Sequence, residues 1–171
     1  MIALVRYGVI PEVARCEVPE SLTIRRGDRV VIQTHRGLLL GTVLDQVKVR
    51  PEPGESEPPA PSSTVVRLAT AEDEQAERES KSESAAAFAE WDERIHSWKL
   101  DLQLIDLEWT LDRSKQVLYV LNDRGPDCTT LALRAAAAGM GVIEVQPVSS
   151  EGVVTLPTGG GGGCGSCGSG H

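Results

Sequence analysis

Between residues 27 and 43 two apolar runs, Val30-Val31-Ile32 and Leu38-Leu39-Leu40, are separated by a short polar turn holding His35, Arg36 and Gly37. Gly27-Asp28 opens the first run and Arg36-Gly37 turns the chain into the second, so the segment reads as a β-hairpin. Apolar stretches at 2–7 and 12–18 precede it, punctuated by Gly8, Pro19 and Gly27. With 29–35 and 38–49 they give four short strands, which suggests a small barrel or a strongly bent antiparallel sheet over residues 1–50. Gly41, inside the fourth run, reads as a bulge or bend that helps the strand curl.

Residues 51–64 change character. Proline, glutamate and serine dominate, without the apolar groups that offset chain entropy, so this stretch reads as a linker. A helix follows. Thr70 is positioned to cap it with Asp73 three residues on, and Glu72, Asp73 and Glu74 suit the positive end of its dipole. Phe88, Trp91, Ile95 and Trp98 recur at helical spacing as its buried stripe, whereas the half before Ala85 is charged and reads as a projecting, solvated arm.

From 102 to 111 the chain alternates. Ile105, Leu107, Trp109 and Leu111 share one face, expected in the core, and Asp106, Glu108 and Thr110 the other, expected at the surface. Asp112 to Lys115 form a turn, 117–121 returns as an apolar strand, and Asp127 or Thr129 caps a helix through Ala138 that Gly139 and Gly141 stop. A last strand spans 142–146. The fold class is therefore α+β: the bent sheet or barrel, the linker, an α-β-β-α-β sandwich over 65–148, and a Gly/Cys tail over 149–171.

Charge and cysteine narrow the function classes. The formal net charge is −8, but residues 1–52 carry eight Lys/Arg against six acids, while 72–93 carry nine acids. A polyanion contact is therefore expected only on the N-terminal sheet, where Arg25, Arg26, Arg29, His35 and Arg36 cluster in sequence. No signal-peptide pattern or membrane-length apolar run is seen, which leads to the expectation of a cytoplasmic protein with reduced cysteines. Cys164 and Cys167 have the two-residue gap that lets two thiolates reach one tetrahedral metal, and His171 offers a third ligand. Zinc or an iron–sulfur cluster would then need a fourth ligand from a partner. Cys16 and Cys128 read as small packing residues. With no phosphate loop, nucleophile elbow or HExxH motif, the expectation is a protein that is not an enzyme.

Three segments taken together point to a family. The hairpin at 27–43, the run Arg67-Leu-Ala-Thr-Ala-Glu-Asp73 before the charged helix, and the stretch 102–115 resemble the polymerase-suppressor (PSP) C-terminal-domain family, whose bacterial members include the YaaT/RicT-like regulators. Arg36-Gly37 matches the family's most recognisable motif, and Asp112 and Lys115 fit its second hairpin. The resemblance implies a regulator or adaptor that joins small protein partners in RNA maturation, with iron–sulfur association in bacterial members and RNA binding in distant ones. The family's cysteine-rich continuation is replaced here by residues 149–171, where only Cys164 and Cys167 could take over a cluster-ligating role.

Overall fold

The computed structural model describes residues 1–47, 60–121 and 126–154. Most of the Pro-rich linker and the cysteine tail, with Cys164, Cys167 and His171, lie outside the described residues.

Five strands close a barrel in the order β1-β2-β5-β3-β4: β1 (Ile2–Tyr7), β2 (Glu12–Glu17), β3 (Arg29–Thr34), β4 (Gly37–Val47) and β5 (Ser63–Leu68). Alternation decides the inward face. Ala3, Val5, Ala14, Cys16, Val30, Ile32, Val43 and Val65 fill the interior while their neighbours face out. Gly41 is required by proximity, not by a turn. A Cβ there would stand 2.4 Å from Val5 Cγ1 and 3.0 Å from the Arg6 carbonyl oxygen. The barrel contains one strand more than the division at residue 50 provides. β5 lies beyond the linker, runs parallel to β2 and antiparallel to β3, and removes the open edges a four-stranded sheet would leave.

Helix α1 (Ala71–Ser97) starts at the expected capping box. Thr70 Oγ1 accepts from the Asp73 amide at 3.2 Å, and Asp73 Oδ2 accepts from the Thr70 amide at 2.8 Å. Arg67 adds a forked contact to Asp73, which holds that carboxyl well below the usual range. Trp91 and Ile95 are buried in the second core, with Phe88 and Trp98 half-buried beside them. The charged half of α1 is not a free arm. Arg29 pairs with Glu77 at 2.5 Å, and Arg113 with Glu83, so this half is tied to the barrel and to the turn after the next strand.

The second sheet has the order β6 (Gln103–Trp109), β7 (Gln116–Leu121), β8 (Ile143–Ser149), β9 (Gly152–Val153), with helix α2 (Asp127–Ala137) connecting the parallel pair β7 and β8. Its short last strand falls in the segment expected to be tail. Pro126, without a side-chain cap bond, occupies the start of α2; Asp127 instead accepts from the Asp101 amide at 2.8 Å. Both helices cover one face, where Trp91, Ile95, Leu131 and Ala135 meet Leu104, Leu107, Leu118 and Val120. The opposite face carries Val117, Tyr119 and Val148 and packs on Val9 and Ile10 from the β1–β2 turn. The sheet thus lies between the helices and the barrel.

A bulge corrects the alternation expected in β6. Leu104 opposes Val120 and Asp106 opposes Tyr119, so Ile105 is the extra residue and is 38% exposed. The expected core position of Ile105 is therefore wrong, Trp109 is only half-buried, and Glu108 turns toward the barrel instead of solvent.

Candidate functional site

The β3–β4 turn docks on the second sheet. Thr34 Oγ1 accepts from the Arg36 amide at 3.1 Å and donates to the Gly37 carbonyl at 3.0 Å, which fixes a tight turn. Gly37 has φ 125°, and a Cβ there would sit 3.0 Å from Thr110 Cγ2. Beside it the Leu111 amide donates to the Leu38 carbonyl at 2.8 Å, a main-chain bond between the barrel and the sheet.

This docking inserts Arg36 into the junction, where it is fully buried. Its Nη1 donates to the Tyr119 hydroxyl at 2.6 Å, Nη2 pairs with Glu12, and Nε donates to His35 Nε2 at 3.3 Å. The guanidinium also lies over the rings of Tyr7 and Tyr119, 5.6 and 5.7 Å from their centroids. Glu108 completes the cluster: Oε1 accepts from the Tyr119 hydroxyl, Oε2 accepts from the Val9 amide at 2.9 Å, and Arg36 Nη1 is 3.9 Å away.

Two carboxylates thus share one cation. Burial raises the Glu108 carboxyl above its ordinary range, against the pull of Tyr119, the Val9 amide and Arg36. Burial and the neighbouring Glu12 push the Tyr7 phenol up to about 12, and burial next to Glu108 raises Tyr119 as well. Burial opposes the charge on Arg36, but Tyr119 and the bonded Glu12 outweigh it and raise its pKa. The cluster holds its protons tightly and acts as a polar clamp between barrel and sheet.

Next to the clamp runs a cleft of about 380 Å3, bounded by the outer face of β1, β3 and β4, the first half of α1, and the end of β6. Arg6, Thr42 and Arg29 are register neighbours across β1, β4 and β3, and Arg29 Nη1 donates to Thr42 Oγ1 at 3.1 Å. Glu77, Lys81 and Ser84 face them from α1, and Trp109, Thr110 and Arg113 form the end wall. Glu77 serves two cations, Arg29 and Lys81, the latter at 3.3 Å.

The structure separates the residues expected to form one contact loop. Arg25 and Arg26 are exposed at the turn before β3, Arg29 is half-buried in the cleft, His35 is exposed, and Arg36 is inside the junction. Arg29 and His35 stand at opposite ends of β3, about 20 Å apart at the rise of an extended strand. Arg36 is therefore withdrawn from any surface contact. Lys115 pairs with Glu144 at 2.6 Å, and Asp112 braces its own turn through the Ser114 hydroxyl at 2.8 Å. Cys16 is buried, and burial pushes its thiol up to about 11. Sequence reasoning passed over Glu12, Tyr7, Glu108 and Tyr119. The one local signal was Tyr119, whose hydroxyl needs a partner within an otherwise apolar strand. Among the described residues no three His, Cys, Asp or Glu side chains are placed to hold a metal ion, and no helix is long and apolar enough to cross a membrane.

Residues 63–134 match the PSP1 C-terminal conserved region. The chain therefore carries a PSP1 C-terminal region and is similar to YaaT beyond it. It is 28% identical over 150 residues to the stage 0 sporulation protein YaaT of Bacillus subtilis (strain 168), an alignment covering 88% of this chain and 52% of that protein. The chain thus spans about half the length of the curated relative it matches. No solved structure matches it significantly. The matched PSP1 region starts at β5 and runs into α2, so it spans the closing barrel strand and the first two strands of the second sheet, β6 and β7. It includes Glu108 and Tyr119 of the clamp, while Arg36 and Glu12 come from the segment before it.

Proposed function

We propose that this chain is a PSP1-family, non-enzymatic cytoplasmic adaptor that regulates RNA processing by holding protein partners. One observation carries the reading. The groups best suited to proton chemistry or anion capture, Arg36, Glu108, Glu12 and Tyr119, bond to one another at the junction and join barrel and sheet into one body. Such a clamp keeps two surfaces in a fixed relation, as an adaptor requires. The likeness to a protein named for sporulation supports a regulatory role. Cys164, Cys167 and His171 give a thiolate–imidazole set of at most three ligands, so zinc or an iron–sulfur cluster held there would draw its remaining ligand from a partner.

The test is affinity purification of the tagged full chain with and without nuclease. Protein partners that stay bound after nuclease treatment support the adaptor reading. A second reading, direct RNA binding, is favoured by the exposure of the adjacent Arg25 and Arg26. Retention on RNA at moderate salt, lost in Arg25→Glu/Arg26→Glu, together with partners that disappear on nuclease treatment, would replace the first reading by the second.

A further inference from the structure

We propose that the cleft between the barrel and the first half of α1 is a binding site for a nucleoside monophosphate unit. Three independent features point there. The first is charge. Four basic side chains line the cleft, Arg6, Arg29, Lys81 and Arg113, in a chain whose formal net charge is −8. Glu77 is shared between Arg29 and Lys81, and Glu83 holds Arg113. Arg6 has no acceptor among the described residues, and Glu108 is turned into the clamp. Arg6 and one of the two cations that share Glu77 are thus left without a carboxylate of their own. After the clamp, where Glu12 and Glu108 share Arg36, is counted, one positive charge remains in excess, which favours the anionic phosphomonoester.

The second feature is an orphaned polar atom. Ser84 is 5% exposed, lines the cleft, and its Oγ has no hydrogen-bond partner. A buried hydroxyl is expected to be bonded, and a ligand oxygen in the cleft would complete it. The third is shape. The cleft volume lies at the lower end of the ~300–1,000 Å3 range typical of ligand sites, enough for one nucleotide. Trp109 is half-buried on its wall and offers a flat face for a base, since every base stacks on an indole. In this arrangement Arg6 and Lys81 take the phosphate, Ser84 a ligand oxygen, and Trp109 the base. None of these groups belongs to the clamp, so occupancy is separable from the adaptor reading. The site would let a soluble nucleotide, or the phosphorylated end of an RNA, alter how α1 is held.

Equilibrium titration of the full chain with AMP, GMP, CMP and UMP, with inorganic phosphate, and with a 5′-phosphorylated trinucleotide tests this. At least one mononucleotide, or the trinucleotide, is expected to saturate one site, more tightly than phosphate and less tightly as salt rises. Arg6→Ala should weaken that binding about tenfold, because it removes a charge-assisted contact. Arg6 is exposed and has no acceptor among the described residues, so its variant should keep the thermal midpoint. Ser84→Ala should weaken binding about three- to tenfold, with the fold checked by its own midpoint. Saturation by free nucleotide assigns the site to a soluble ligand; saturation by the trinucleotide alone assigns it to an RNA end. The proposal is overturned if no probe saturates, if phosphate binds as tightly as any nucleotide, or if Arg6→Ala binds like the parent chain.

Discussion

Replacing Arg36 by methionine separates what its charge does from what its volume does. Methionine keeps most of the buried stem but leaves Glu12 and Glu108 facing each other and the Tyr119 hydroxyl without its 2.6 Å donor. Removing one partner of a buried ion pair costs about 3–5 kcal/mol, because the remaining charge has neither water nor a counterion. Glu12 retains 19% side-chain exposure, which lets water screen part of this and places the expected loss near the lower figure, about 3 kcal/mol. Against a total stability of ~5–15 kcal/mol, that is a large fraction. For a chain of this size it corresponds to a fall in thermal midpoint of roughly 6–12 °C. Urea unfolding at pH 7, followed by tryptophan fluorescence, measures it directly. If unpaired carboxylates are the cause, Arg36→Met combined with Glu12→Gln and Glu108→Gln should recover most of the loss. A single Arg36→Met variant within about 1 kcal/mol of the parent would refute the reasoning, since the guanidinium would then have to be solvated or redundant.

Glu108→Gln tests the proton balance of the clamp. The Glu108 carboxyl has a raised pKa in the folded chain, so its stabilising contribution is complete below the ordinary glutamate range and is lost as pH rises through the folded value; the variant should flatten this loss in a plot of thermal midpoint against pH, and an unchanged slope would count against it. Gly41→Ala brings a Cβ to within 2.4 Å of Val5 Cγ1 and should cost about 1–3 kcal/mol in urea unfolding, whereas a neutral result would mean β1 and β4 separate without penalty. Trp91→Ala, which empties a buried site and removes the 3.2 Å bond from Nε1 to Gln116, should cost about 3–5 kcal/mol. The half-buried Trp109 should cost clearly less on the same change, and equal losses would contradict the placement of Trp109 on the cleft wall.

The features legible in the sequence are the ones that close over a few residues. Thr70 and Asp73 find each other within one turn of helix, so the start of α1 and its cap follow from local chemistry alone. The hairpin formed by β3 and β4 is equally local, because a short turn between two apolar runs leaves one way to pair them. The Trp91 and Ile95 stripe follows from helical periodicity.

What the tertiary structure decided is non-local in each case. β5 became a barrel strand because its partners, β2 and β3, lie across the linker, and no local pattern states a pairing partner. Ile105 left the core because a single-residue bulge opposite Val120 and Tyr119 puts Leu104, instead of Ile105, on the same face as Leu107. Glu108 keeps its place on the face opposite Leu107, and it left solvent because the barrel docks on that face. Arg36 reads as a solvated turn residue until the turn meets the second sheet, where Tyr119, Glu108 and Glu12 supply the bonds that let a guanidinium leave water. Sequence fixes which groups need partners, because burial without one is costly. Only the packed chain, by bringing residues 12, 36, 108 and 119 to one point, determines which partners they find.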